Sequence, residues 1–109
     1  MDIENRDLEI VRLEFDLVFD EKTSLRQLSR NWEYGVVAFG DYRVEDIDIY
    51  VYKDVNGEWV LLQKDEDAAS KAVVIVDPTF DGTYMVKIMV YKFREGFNAA
   101  RYGLLVFHE

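Results

Sequence analysis

Alternation with a period of two runs through most of this chain and, more than any other feature, limits it to pleated sheet. Residues 46 to 53 read Asp-Ile-Asp-Ile-Tyr-Val-Tyr-Lys. Ile47, Ile49 and Val51 fall on one side, and Asp46, Asp48, Tyr50 and Tyr52 on the other. Successive strand side chains point to opposite faces, so this order predicts a half-buried strand. Residues 83 to 93 repeat it, with Tyr84, Val86, Ile88 and Val90 on one face and Lys87 opposite. Leu13, Phe15, Leu17 and Phe19 alternate with Glu14, Asp16 and Val18. Leu8 and Ile10 precede them in the other phase, and the change near Val11 predicts a β-bulge.

Further strands are expected at residues 24–28, 33–40, 58–63, 71–76 and 100–108, although Leu25-Arg26-Gln27-Leu28 also fits a single helical turn. Turn chemistry separates them. Asn56-Gly57 between two apolar runs is a strong hairpin signal, because both residues tolerate a positive φ. Asp77-Pro78 and Asp81-Gly82 bracket another turn, and residues 20–22 and 95–98 mark two more. About eight short strands predict an all-β fold, an antiparallel β-sandwich, with a closed barrel as the alternative. One proline and six glycines leave no visible linker, so residues 1–7 read as a loose lead-in and 8–109 as one domain.

Composition removes several functions. Asp plus Glu total 22 against 13 Lys plus Arg, a net charge of −9, which argues against nucleic acid and anionic membrane as partners. There is no cysteine, hence no disulfide scaffold, thiolate zinc site or cysteine nucleophile. His108, the single histidine, has no partner at sequence level and reads as solvent-exposed. No P-loop, GxGxxG or nucleophile-elbow motif occurs, and no spacing singles out a carboxylate pair, so an enzyme is not expected. The acidic start, Met1-Asp2-Ile3-Glu4-Asn5, lacks the positive region of a signal peptide. No apolar run approaches the ~20 residues of a membrane span.

Two constellations are candidates for chemistry. Asp41, Glu45, Asp46 and Asp48 cluster around one strand, and Asp65, Glu66 and Asp67 form an acidic turn. Calcium takes six to eight oxygen ligands, many of them carboxylates, which makes Asp41, Asp46, Asp48, Asp65 and Asp67 the candidate metal set. The plainer reading is solvated carboxylates or turn residues capping backbone N–H groups. Tyr50 and Tyr52 share a strand face and, with Tyr42, form a candidate binding face, because tyrosines stack on sugars and pack on peptides. The plainer reading there is cross-strand packing. Trp59, between Glu58 and Val60, reads as core.

The stretch from Tyr34 to Phe107 resembles the bacterial pre-peptidase C-terminal domain. The residues that carry the resemblance are Gly40-Asp41, the run from Asp46 to Tyr52, Asn56-Gly57, Asp65-Glu66-Asp67 and Val73 to Pro78. Gly82-Thr83-Tyr84-Met85-Val86-Lys87-Ile88 and Tyr102-Gly103-Leu104-Leu105-Val106 complete it. The resemblance implies a jelly-roll accessory module of secreted enzymes, in an extracellular or periplasmic setting. It implies a non-catalytic module presenting a sheet face to an extended peptide or polysaccharide, with calcium at acidic strand ends. The charged, aromatic segment from Phe93 to Arg101 departs from the family's usual Gly/Ser turn. The alternative is a structural domain that self-associates, for instance through an edge strand, or binds a protein partner without a small ligand.

Overall fold

The computed structural model describes residues 9–18, 20–67, 69–78 and 80–108. They form eight strands: β1 (Glu9–Val18), β2 (Glu21–Leu28), β3 (Tyr34–Gly40), β4 (Val44–Val55), β5 (Glu58–Asp65), β6 (Lys71–Val76), β7 (Gly82–Phe93) and β8 (Ala100–His108). Sheet I has the order β1-β8-β3-β6, and sheet II the order β2-β7-β4-β5. All neighbouring strands are antiparallel. Only β4 and β5 are both consecutive and paired; every other connection passes from one sheet to the other. That is the strand order of a jelly-roll sandwich: turn spacing and alternation predict the sandwich, and the family resemblance implies its jelly-roll form.

The β4–β5 hairpin follows from its turn residues. Val55 pairs with Glu58 across a two-residue loop. Asn56 and Gly57 both have positive φ, 53° and 86°, the combination of a type I′ turn whose twist matches the strands. The Gly57 N–H donates to Asp54 Oδ1 at 2.9 Å and closes the turn. The bulge expected near Val11 is also present, as a register shift between Ile10 and Arg12.

The core lies between the inner faces. Ile47, Ile49 and Val51 of β4 are fully buried, and Tyr84, Val86, Ile88 and Val90 of β7 nearly so. They meet Tyr34, Val36 and Ala38 of β3 and Leu104 and Val106 of β8 in one cluster. Each large aliphatic side chain so buried contributes about 1.5–3 kcal/mol relative to exposure.

Two expectations need correction, and the alternation of β1, which named no inward face, is settled by the register. Phe15 is 66% exposed while Val18 is fully buried, so β1 turns Phe15 outward; Leu8 and Phe19 lie outside the described residues. The register explains it: Val18 pairs with the core residue Ala100, and Phe15 with Gly103. Trp59 is 42% exposed and not core, because β5 is an edge strand whose core contact is made by Leu62. His108 is buried, its ring stacked on Trp32 at 4.2 Å and meeting Tyr34 edge-on at 5.7 Å. β8 is an inner strand flanked by β1 and β3, which covers its last residues.

Candidate binding face

Strand alternation sends Tyr50 and Tyr52 to the side of β4 opposite Ile49 and Val51, the outer face of sheet II. Register then aligns residues from all four strands. Leu25 pairs with Met85, Met85 with Tyr52, and Tyr52 with Leu61, giving one apolar row straight across the sheet. Leu25 is 58% exposed and Leu61 44%. Trp59, two residues from Leu61, extends the row at the edge. Sequence reasoning missed Trp59 and Leu61. Their only sequence signal was the place of Trp59 two residues past Asn56-Gly57, which sets it opposite Asp54 in the hairpin.

The next row, Thr23, Lys87, Tyr50 and Lys64, is charged. The Tyr50 hydroxyl donates to Glu66 Oε2 at 2.7 Å, and Lys64 Nζ lies 2.6 Å from Glu66 Oε1. Lys87 Nζ sits 5.4 Å from the Tyr50 ring centroid and 3.3 Å from Glu21. Lys64, then Tyr50, hold the Glu66 carboxyl below its usual range, and burial with the Glu66 contact pushes the Tyr50 phenol up. Tyr50 is thereby a fixed, half-buried ring. On the other flank, Gln27 Nε2 donates to Thr83 Oγ1 at 2.5 Å. The apolar row therefore runs between two bands of hydrogen-bonding groups.

Tyr42 does not join this face. It is 72% exposed in the β3–β4 turn, against Phe97 of the β7–β8 loop at 5.7 Å and edge-on. The Arg94 side chain donates to the Tyr42 carbonyl at 3.0 Å, tying the two loops at the end of the sandwich.

The five candidate metal residues are not gathered. Asp41 accepts from Arg43 Nε and Nη2, and from the backbone N–H groups of Arg43 and Arg101. The Arg43 guanidinium holds its carboxyl below the usual range. Asp65 accepts from the N–H groups of Asp67 at 3.0 Å and Val73 at 2.9 Å, the turn-capping role. Asp67 is exposed. Among the described residues, no three His, Cys, Asp or Glu side chains form a metal-holding group.

Asp46 and Asp48 are brought together, and they are not solvated. They are 8% and 3% exposed, and neither Oδ1 has a hydrogen-bond partner among the described residues. The β5–β6 connection lies along this end of β4, with the Ile47 N–H donating to the Ala69 carbonyl at 2.8 Å. Burial first, then the charges of Asp46, Glu66 and Asp65, push the Asp48 carboxyl up to about 6. The pair lies at the end of sheet II beside the Tyr50–Glu66 contact, not within the apolar row.

Comparison with known proteins places the fold. The chain is similar to the Yersinia pseudotuberculosis-derived mitogen, with a TM-score of 0.64 at 12% identity, over 92% of this chain and 84% of that one. It is also similar to a low-affinity xylan-binding module from the gut symbiont Roseburia intestinalis, with a TM-score of 0.50 at 13% identity, over 95% and 89%. At these identities the likeness is one of fold, and neither protein is described as an enzyme. No family model and no curated protein matches the sequence.

Proposed function

We propose that this chain is a non-catalytic binding module that lays an extended polysaccharide strand across the outer face of sheet II. The observation that carries this reading is the row Leu25–Met85–Tyr52–Leu61 with Trp59 beside it. Sugar rings have apolar faces and hydroxyl rims. A flat aromatic and aliphatic row takes the faces, and the flanking Gln27, Thr83, Lys64 and Lys87 take the hydroxyls. The xylan-binding neighbour supports the reading at the level of fold, since it uses the same architecture for a polysaccharide. The pre-peptidase-like order of motifs and an extracellular or periplasmic setting belong to the same proposal.

Calcium enters the proposal only at Asp46 and Asp48, the two candidate ligands that lie together with unpaired oxygens. Asp41 and Asp65 already hold backbone N–H groups.

The test is pull-down on insoluble xylan, cellulose and collagen, with Trp59→Ala and Tyr52→Ala beside the wild type. Loss of one stacking ring is expected to weaken polysaccharide binding about tenfold. Retention of collagen alone would transfer the face to peptide ligands. Equal binding by wild type and both variants would remove the face from the function.

A further inference from the structure

The apolar row on the outer face of sheet II has a direction and a spacing, and these discriminate among glycans. Leu25, Met85, Tyr52 and Leu61 lie on four neighbouring strands and pair in turn across them. Neighbouring strands lie ~4.8 Å apart, close to the ~5 Å that one sugar adds to an extended β-1,4-linked chain. Along β4 the outward Tyr50 and Tyr52 are two residues and ~6.8 Å apart, which does not match that repeat. Four contacts therefore meet four consecutive sugars only if the chain crosses the strands. The row begins on β2 and ends on β5, the two edge strands of sheet II, so a long polymer can continue past either side. Sheet twist turns the surface by only about 20–25° from one strand to the next, so consecutive rings must keep nearly one plane. A two-fold glucan or mannan ribbon does so. A three-fold xylan chain turns each ring well out of the plane of the last, and an α-1,4-linked chain curls away.

We infer that the ligand is an uncharged β-1,4-linked glucan or mannan chain, bound through an internal stretch of about four sugars that crosses β2, β7, β4 and β5. The inference rests on the polysaccharide reading above and specifies its substrate class. The charges of the face favour a neutral chain. The two lysines beside the row are already matched, Lys64 Nζ to Glu66 at 2.6 Å and Lys87 Nζ to Glu21 at 3.3 Å. Asp54, opposite Trp59, adds a carboxylate whose partner is the Gly57 N–H. These residues leave no spare cation for a uronate or a sulfate, and the net charge of −9 repels a polyanion. Sugar hydroxyls need no spare charge. An ammonium group has three donors, so Lys64 and Lys87 can serve hydroxyls while paired, and Gln27 and Thr83 offer an amide and a hydroxyl on the other flank.

Affinity electrophoresis in native gels tests the chain type, since the net charge of −9 carries the protein into the gel. Soluble hydroxyethylcellulose and glucomannan are expected to retard the wild type with about tenfold higher affinity than arabinoxylan, amylose or polygalacturonate. Isothermal titration with cello-oligosaccharides tests the path: affinity is expected to rise about tenfold from cellobiose to cellotetraose and to level off there. Leu25→Ser, an exposed change on β2 at the far end of the row from Trp59, is expected to weaken cellotetraose binding about threefold. Arabinoxylan, amylose or polygalacturonate bound as tightly as glucan, with the Trp59→Ala loss retained, would overturn the chain type and leave the polysaccharide reading standing. Unchanged binding by Leu25→Ser, or an affinity that levels at two sugars or still climbs beyond six, would overturn the path across the strands. No retardation by any polymer, or equal retardation of wild type and Trp59→Ala, would overturn the inference together with that reading.

Discussion

Replacing Asp48 with asparagine isolates the buried carboxyl pair with almost no change of shape. In the wild type, Asp48 moves from an ordinary value of 3.8 to about 6, chiefly through burial and then through Asp46. A raised carboxyl favours the protonated fold. Its contribution to stability is fully present below pH ~4 and is lost as the pH rises through about 6. A rise of that size corresponds to about 3 kcal/mol. Asparagine is neutral at every pH and can donate to Asp46 Oδ1, one of the two orphan oxygens. Asp48→Asn is therefore expected to gain about 2 kcal/mol over the wild type at pH 7, raising the melting temperature by roughly 8 °C. At pH 4 the two proteins should nearly coincide. Urea unfolding from pH 4 to 7.5 measures the difference between them, which removes the other carboxylates from the comparison. A variant less stable than the wild type at pH 7, or a difference that does not change with pH, would refute the reasoning.

Other outcomes follow from the same geometry. If Asp46 and Asp48 take calcium, millimolar calcium raises the melting temperature at pH 7, EDTA reverses it, and Asp48→Asn abolishes it; an unchanged midpoint removes calcium from the module. Gly103→Ala drives a Cβ into the Phe39 ring, which lies over β8 and meets the new atom with Cζ, Cε1 and Cε2. It is expected to cost about 1–3 kcal/mol by urea titration, and a neutral change would mean that the Phe39 ring is not held there.

Much of the fold was legible because its causes are local. Period-two alternation located the strands, and β6 and β8 have the predicted bounds. Asn56-Gly57 specified the hairpin because few other pairs accept two positive φ angles. The site was less legible. Tyr50 and Tyr52 were visible as the polar side of β4, but Leu25, Met85 and Leu61 reach that row only by pairing with Tyr52, directly or through a neighbouring strand. The acidic cluster of the sequence divides in space: Asp41 joins Arg43 and β8, while Asp65 caps the start of β6.

The sequence by itself determined that this chain is built of alternating strands with Ile47, Ile49, Val51 and the even-numbered stripe of β7 inside. A period of two says that a strand has two faces. It names the inward one only where the other is polar. Where both are apolar, as in β3 and β8, or where a stripe such as Phe15 competes with Val18, the neighbouring strand decides. Only the tertiary structure turned Phe15 outward, set Trp59 at an open edge and left Asp46 and Asp48 without solvent. The reason is the same in each case: burial depends on what covers a side chain, and in this fold the cover comes from elsewhere in the chain.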